Sequence, residues 1–264
     1  MTSTRSRHNE SCRDSAGTQP GVPMIDLHCH ILPALDDGAR DLADSLAMAG
    51  QAARDGIEAV CATPHIRHDH DVAIGQLAER IAELQAAIDA AGLDVQILAG
   101  GEVAETEADR LTDAELQTVS LGGAGAWVLL EPASGPLGDS LERRVARLHE
   151  RGVRCVIAHP ERHAGPDFAE RVRRLADAGC LIQWTAEFIA NEQPGDYVLN
   201  LAAEGLVHLL ASDAHSARIG RPVALTAGFE ALGRVWSPER VAWSAEVAPQ
   251  AIVGGETEIA PPPA

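Results

Sequence analysis

The sequence predicts a single α/β domain built as a barrel of seven strand–helix units. Three observations carry this. Short apolar runs recur at 24–28, 57–62, 95–99, 126–131, 153–158, 180–185 and 207–211, and their length suits buried parallel strands. Helical stretches alternate with them, without an interrupting linker. A His or a carboxylate stands at six of the seven strand ends, on the face where the βα loops of a barrel converge. A doubly wound open sheet is the alternative, but no glycine fingerprint follows the first strand, which weakens a dinucleotide-binding reading.

The helices follow from apolar spacing. Residues 41–55 place Leu42, Leu46, Ala49 and Ala53 on one face, and residues 75–91 do the same with Leu77, Ile81, Leu84 and Ile88. Helices are expected next over Asp139–Arg151 and Asp167–Ala178, the latter stopped by Gly179. Stretches at 196–204, 222–233 and 237–246 complete the set, the last behind the capping pair Ser237-Pro238. The domain is expected to span 24–253. Residues 1–23 carry Arg, Ser, Asn, Gly and Pro without an apolar core, so they read as a disordered extension rather than a secretory signal. Met24 is a candidate natural start. Residues 254–264, with Pro261-Pro262-Pro263, read as a flexible tail.

Composition narrows the function. Aromatics are only 3%, so Ala, Val, Leu and Ile must fill the core. All 21 basic residues are Arg, and the net charge is −18. That charge argues against nucleic acid as a partner, since phosphate backbones need a basic surface. A phosphorylated substrate stays compatible if bound cations reverse the local field. No apolar stretch approaches a membrane span, so no insertion is expected. Five cysteines without a C-x-x-C spacing fit free thiols in a reducing cytoplasm.

The chemistry lies at the strand ends. His28 and His30 close the first strand in Asp26-Leu27-His28-Cys29-His30, on one face by the period-two alternation. Cys29 between them points away, into the core. Asp36-Asp37-Gly38 follows. His65 follows the second strand and Glu102 the third. Glu131 ends the fourth, His159 the fifth, and Asp213 and His215 follow the seventh. A single His or Glu at a strand end is ordinarily a loop or capping residue; the joint pattern points to a metal site. Imidazole and carboxylate without thiolate suit Mn, Zn or Fe. So many donors exceed the needs of one ion and imply two or three, a cluster suited to phosphoryl displacement. Arg162 and Arg221 stand near the same face and can hold phosphate oxygens. His68, His70 and His163 read as surface residues. Cys61 and Arg67 have the Cys-x5-Arg spacing of thiol phosphatases, but the loop lacks phosphate-cradling glycines and Cys61 falls inside a strand.

Met24-Ile25-Asp26-Leu27-His28-Cys29-His30 with Asp36-Asp37-Gly38, Ala62-Thr63-Pro64-His65, Ala158-His159-Pro160-Glu161-Arg162 and Ala211-Ser212-Asp213-Ala214-His215 with Gly220-Arg221-Pro222 resemble the polymerase-and-histidinol-phosphatase (PHP) superfamily. The Asp-Asp-Gly is similar to that of its manganese-dependent protein-tyrosine phosphatases from bacterial capsule and exopolysaccharide systems. The resemblance runs from Met24 to about Val253. It implies a distorted (β/α)7 TIM-like barrel with three metal ions, Mn2+ first. One ion would take His28, His30, Glu102 and Asp213; the second Glu102, Glu131 and His159; the third Asp37, His65 and His215. Arg162 and Arg221 would bind phosphate, with Asp37 able to assist the leaving group. The implied partner is a phosphotyrosine protein, a bacterial tyrosine kinase controlling polysaccharide chain length; a homo-oligomer is compatible. Thr185, Val223 and the loop Ile66–Asp71 depart from the family pattern, which affects substrate contacts more than metals. A small phosphate monoester as substrate, and a non-catalytic metal-binding regulator, are the competing readings.

Overall fold

The computed structural model describes residues 23–191 and 196–263. The chain runs β1 (Met24–Cys29), α1 (Leu42–Asp55), β2 (Ile57–Ala62), β3 (His65–Ile66), α2 (Leu77–Ala90), β4 (Gln96–Leu98), β5 (Glu102–Ala104), α3 (Asp113–Val119) and β6 (Trp127–Glu131). It continues through α4 (Asp139–Glu150), β7 (Arg154–Ile157), α5 (Phe168–Asp177), β8 (Leu181–Thr185), α6 (Ala186–Asn191), α7 (Asp196–Ala203) and β9 (Leu209–Ala211). It ends in α8 (Thr226–Leu232), α9 (Pro238–Ala242), a π turn over Trp243–Val247, and α10 (Ala248–Val253). All strand pairings are parallel. Each expected strand is present, and the α/β class holds.

The distortion has a local cause. Beyond the second and third expected strands, present as β2 and β4, the chain breaks and resumes as the short β3 and β5, giving a sheet ordered β1-β2-β4 and another ordered β3-β5-β6-β7-β8-β9. Pro64, which lacks an N–H, sits at the first break. Gly100 and Gly101 sit at the second. A Cβ on Gly101 would lie 2.9 Å from Ile66 Cγ1 and Val119 Cβ. This close approach lets the chain turn and lay Glu102 opposite His65 in register. At the other side, β1 and the end of β9 meet at an isolated bridge, Cys29 to Ala214, rather than along a full ladder. His30 N donates to Ala214 O at 2.9 Å and Asp213 N to His28 O at 2.8 Å.

β1 departs from simple alternation. Asp26 pairs with Val60 and Cys29 with Ala62, so three steps in β1 match two in β2. Such a bulge flips the side-chain parity. Ile25 and Leu27 therefore join the apolar layer that Cys61, Leu129, Val156 and Leu209 form with Trp243 and Ile252 from the C-terminal helices. Beyond the bulge His28 and His30 take over that face, while Cys29 joins the outer layer against the helices. Asp26, fully buried, accepts the His28 N–H at 3.2 Å and the Ser212 N–H at 3.0 Å, satisfying donors at this seam.

Three expectations on the helices change. The buried face of α1 is Asp44, Ser45, Met48, Ala49 and Ala52; Leu42 is 46% exposed. Asp44 on that face accepts from Ser216 and Ala217 of a neighbouring loop, which periodicity in apolar residues cannot reveal. The helix expected over 222–233 begins only at Thr226, because Pro222–Leu225 is drawn onto α1. The short α3, closed by a Thr112–Glu115 capping box, was not anticipated.

The tails fare differently. Residues 1–22 lie outside the described residues. The segment after Gly254 has no regular structure, as expected of a tail, yet it is tied down. The Trp127 indole donates to Glu256 O at 2.7 Å and the Trp243 indole to Ala260 O at 3.0 Å. It lies at the N-terminal ends of the strands, opposite the candidate site. Among the described residues no helix is long and apolar enough to cross a membrane. Gly101→Ala is expected to lower unfolding stability by about 1–3 kcal/mol through overpacking against two branched side chains. Urea denaturation measures this, and an unchanged midpoint contradicts the close-approach role.

Candidate metal centre

Glu102 is the hub. Its carboxylate is fully buried at the start of β5. Oε1 lies 2.8 Å from His159 Nε2 and 3.3 Å from His28 Nε2. Oε2 lies 2.9 Å from His65 Nδ1 and 3.3 Å from His30 Nε2. Asp213 Oδ1 stands 3.4 Å from His28 Nε2 and 3.6 Å from both His30 Nε2 and His215 Nδ1. Asp37 Oδ1 reaches His65 Nε2 at 3.4 Å and His215 Nε2 at 3.6 Å. Glu131 Oε2 is 3.9 Å from His65 Nδ1.

All nine candidate donors thus converge, in four overlapping groups able to hold a cation. They are His30, Asp37, His65 and His215; His28, Glu102 and His159; His28, His30 and Asp213; and His65, Glu102 and Glu131. The grouping differs from that implied by the resemblance: Glu131 stands with His65 rather than with His159, His30 joins Asp37, His65 and His215, and His28 joins Glu102 and His159.

Hydrogen bonds around the centre set the tautomers. His28 Nδ1 faces Gln183 Oε1 at 3.0 Å, and His30 Nδ1 faces Asp36 Oδ2 at 2.7 Å. Both acceptors require a proton on Nδ1, which leaves the Nε2 lone pairs pointing inward in the neutral rings. Those two Nε2 atoms are 3.2 Å apart. Two lone pairs at that distance repel unless a proton or a cation lies between them. Glu102 Oε2, Asp213 Oδ1 and His65 Nδ1 are buried without a hydrogen-bond partner. The donor set and its unpartnered atoms fit divalent metal ions.

The backbone is held in costly conformations here. Among the described residues three non-glycines have positive φ, and two of them are His159 at 28° and Asp213 at 49°. Such residues persist where surroundings over-determine them, at functional sites above all. A Cβ on Gly38 would lie 2.3 Å from His30 O, so the third position of Asp-Asp-Gly admits only glycine.

Residues 24–238 match the family described as "Capsular polysaccharide synthesis, CpsB/CapC". The chain belongs to the CpsB/CapC family. The tyrosine-protein phosphatase YwqE of Bacillus subtilis is 34% identical over 74% of this chain and 78% of its own. The tyrosine-protein phosphatase CpsB of Streptococcus agalactiae is 26% identical over 82% of this chain and 93% of its own. A structure from the work on YwqE and Streptococcus pneumoniae CpsB, described as unique metal-dependent tyrosine phosphatases, superimposes with a TM-score of 0.78 at 29% identity. It covers 90% of this chain and 98% of that one. A lactonase from Listeria monocytogenes shares the fold at a TM-score of 0.56 and 13% identity.

Within this CpsB/CapC centre, sequence reasoning missed several residues. Asp36 accepts the His65 N–H at 2.9 Å as well as holding His30, so it links β1 to β3. Its place beside Asp37 was the available signal. Gln183 sits two residues before the end of β8, the observed form of the one expected strand without a His or carboxylate at its end. Arg67 reaches Glu131 at 3.5 Å. His163 is buried, stacked 6.0 Å from His159, and His70 stacks 5.0 Å from His65, so neither is a plain surface residue. Cys61 is fully buried in β2, and burial pushes its thiol up to about 12, which excludes it as a nucleophile. Arg162 and Arg221 both turn onto Asp213 Oδ2, the latter at 3.1 Å.

Electrostatics follow burial and charge. Burial pushes Glu102 up, but His28, His159 and His30 outweigh it and hold it well below the carboxylate range. Burial also pushes Asp213 up, and the neighbouring Glu102 adds to that, but His28, His159 and His30 outweigh both and bring it down to about 2. Burial alone would lower His28 and His30; Glu102 and Asp213 raise the first, and Asp36 with Glu102 raises the second well above its usual value. Raised histidines hold protons into the neutral range, and a metal must displace them. Divalent-ion binding is therefore expected to release protons and weaken as pH falls. Calorimetry in buffers of different ionisation enthalpy reads this; a buffer-independent heat contradicts it.

Proposed function

We propose that this chain is a metal-dependent phosphatase that hydrolyses phosphotyrosine in proteins. The observation that carries the reading is the meeting, at Asp213, of a multinuclear donor set with two guanidiniums. Curated CpsB/CapC relatives named as tyrosine-protein phosphatases support it.

His28, His30, Asp37, His65, Glu102, Glu131, His159, Asp213 and His215 would hold two or three ions, and Mn2+ fits their mixed imidazole and carboxylate donors. Bound there, the ions would supply Lewis acidity and an activated water. The protein's own part is positioning. Arg162 and Arg221 already pair with a carboxylate oxygen, and phosphate oxygens are the same class of acceptor. They would orient the phosphoryl group and stabilise its developing charge. Asp37, with its side chain 56% exposed beside His65 and His215, would be able to pass a proton to the leaving oxygen. A phenol of pKa about 10 leaves with little help, so loss of Asp37's proton-transfer role would matter more for alkyl esters. The partner consistent with a capsular-synthesis family is the tail of a bacterial tyrosine kinase, encountered in the cytoplasm.

Chelation is expected to abolish turnover of a phosphotyrosine peptide, and Mn2+ to restore it. Arg221→Ala is expected to lower kcat/KM by about 100-fold or more. Full activity of the metal-free protein, or a preference for small alkyl phosphates over phosphotyrosine peptides, contradicts the reading.

A further inference from the structure

The segment between β9 and α8 carries His215 and Arg221 yet has no helix or strand of its own. Several of its backbone groups are satisfied by side chains of α1. Asp44, Gln51 and Asp55 are spaced seven and four residues apart, which places them on one helix face. Asp44, fully buried, accepts from Ser216 Oγ at 2.9 Å and Ala217 N at 3.1 Å. Asp55 accepts from Leu225 N at 2.5 Å and Thr226 N at 3.1 Å.

Gln51 lies between them and does two things at once. Its Nε2 donates to Ala217 O at 3.1 Å, while its Oε1 accepts from Val223 N at 3.1 Å. One amide thus closes both ends of the loop 217–223. Arg221 is inside that loop, with its Nε donating to Asp213 O at 2.8 Å. The tip is open to solvent: Ile219 is 66% exposed and Gly220 has φ of 87°. Val223 at the far foot is fully buried. Only a side chain that both donates and accepts can close this loop; a carboxylate would set an acceptor against Ala217 O.

We infer that Gln51, on α1 and outside the metal centre, is a positioning residue that holds Arg221 in its phosphate-binding geometry. The inference rests on the reading that Arg221 binds the phosphoryl group. Asp44 and Asp55 fix the two ends of the same segment to the same helix. Arg221 is then preorganised rather than ordered by the ligand, which strengthens phosphate binding without touching the metal donors.

The test is a double-mutant cycle on the Mn2+-loaded protein, with inorganic phosphate as ligand and calorimetry as readout. Gln51→Met keeps the shape and removes both hydrogen bonds; Gln51→Glu removes the donor. Each is expected to weaken phosphate about five- to tenfold and to lower kcat/KM for a phosphotyrosine peptide in parallel. Metal content should match wild type. In an Arg221→Ala background the same substitutions should have no further effect, since Gln51 acts through Arg221. Additive losses, unchanged phosphate affinity, or loss of metal from both Gln51 variants overturns the inference. A wild-type protein that does not bind phosphate overturns the functional reading and this one with it; phosphate binding that is equal in wild type and both variants overturns the inference alone.

Discussion

The structure depends on one buried carboxylate. Glu102 is fully enclosed and touches four imidazoles, from β1, β3 and the segment after β7. An isolated charge in that position would be very costly; it is tolerable only among groups that become cationic or share cations with it. Protons on the histidines can serve, and so could metal ions held by the same donors. Either way, the four strand ends are drawn to a single point, and the remaining donors line up around it.

The distortions of the barrel serve that convergence. The bulge in β1 turns His28 and His30 onto the face that Ile25 and Leu27 occupy lower down. The breaks at Thr63-Pro64 and Gly100-Gly101 register His65 against Glu102. Positive φ at His159 and Asp213 aims those side chains. Each costs stability locally, and the apolar layers of the opposite end, closed by Trp127, Trp243 and the docked C-terminal segment, offset it. The division is common in α/β barrels: chemistry on one face, stability on the other.

Much of this was legible because side-chain chemistry and strand period are written directly in sequence. The seven apolar runs gave the strands, His or carboxylate at or just after their ends gave eight of the converging donors, and the family resemblance of Asp36-Asp37-Gly38 added Asp37. What was hidden depended on backbone geometry or on distant partners. The parity flip in β1 leaves no mark on a His-x-His that reads the same either way. The two-residue β3 and three-residue β5 are too short for any periodicity. Asp36 and Gln183 act through hydrogen bonds to residues that only folding brings near, and Gln183 lies 155 positions from His28. On α1 the expected apolar face failed because Asp44 is buried by its bonds to Ser216 and Ala217.

The central claim is that Glu102 is shared between ions in a multinuclear centre. Elemental analysis of purified wild type and Glu102→Ala, with protein concentration measured independently, tests it most directly. More than one transition-metal ion per wild-type chain, and loss of more than one ion in the variant, are expected. A wild-type stoichiometry of one, or a variant that loses no metal, contradicts it.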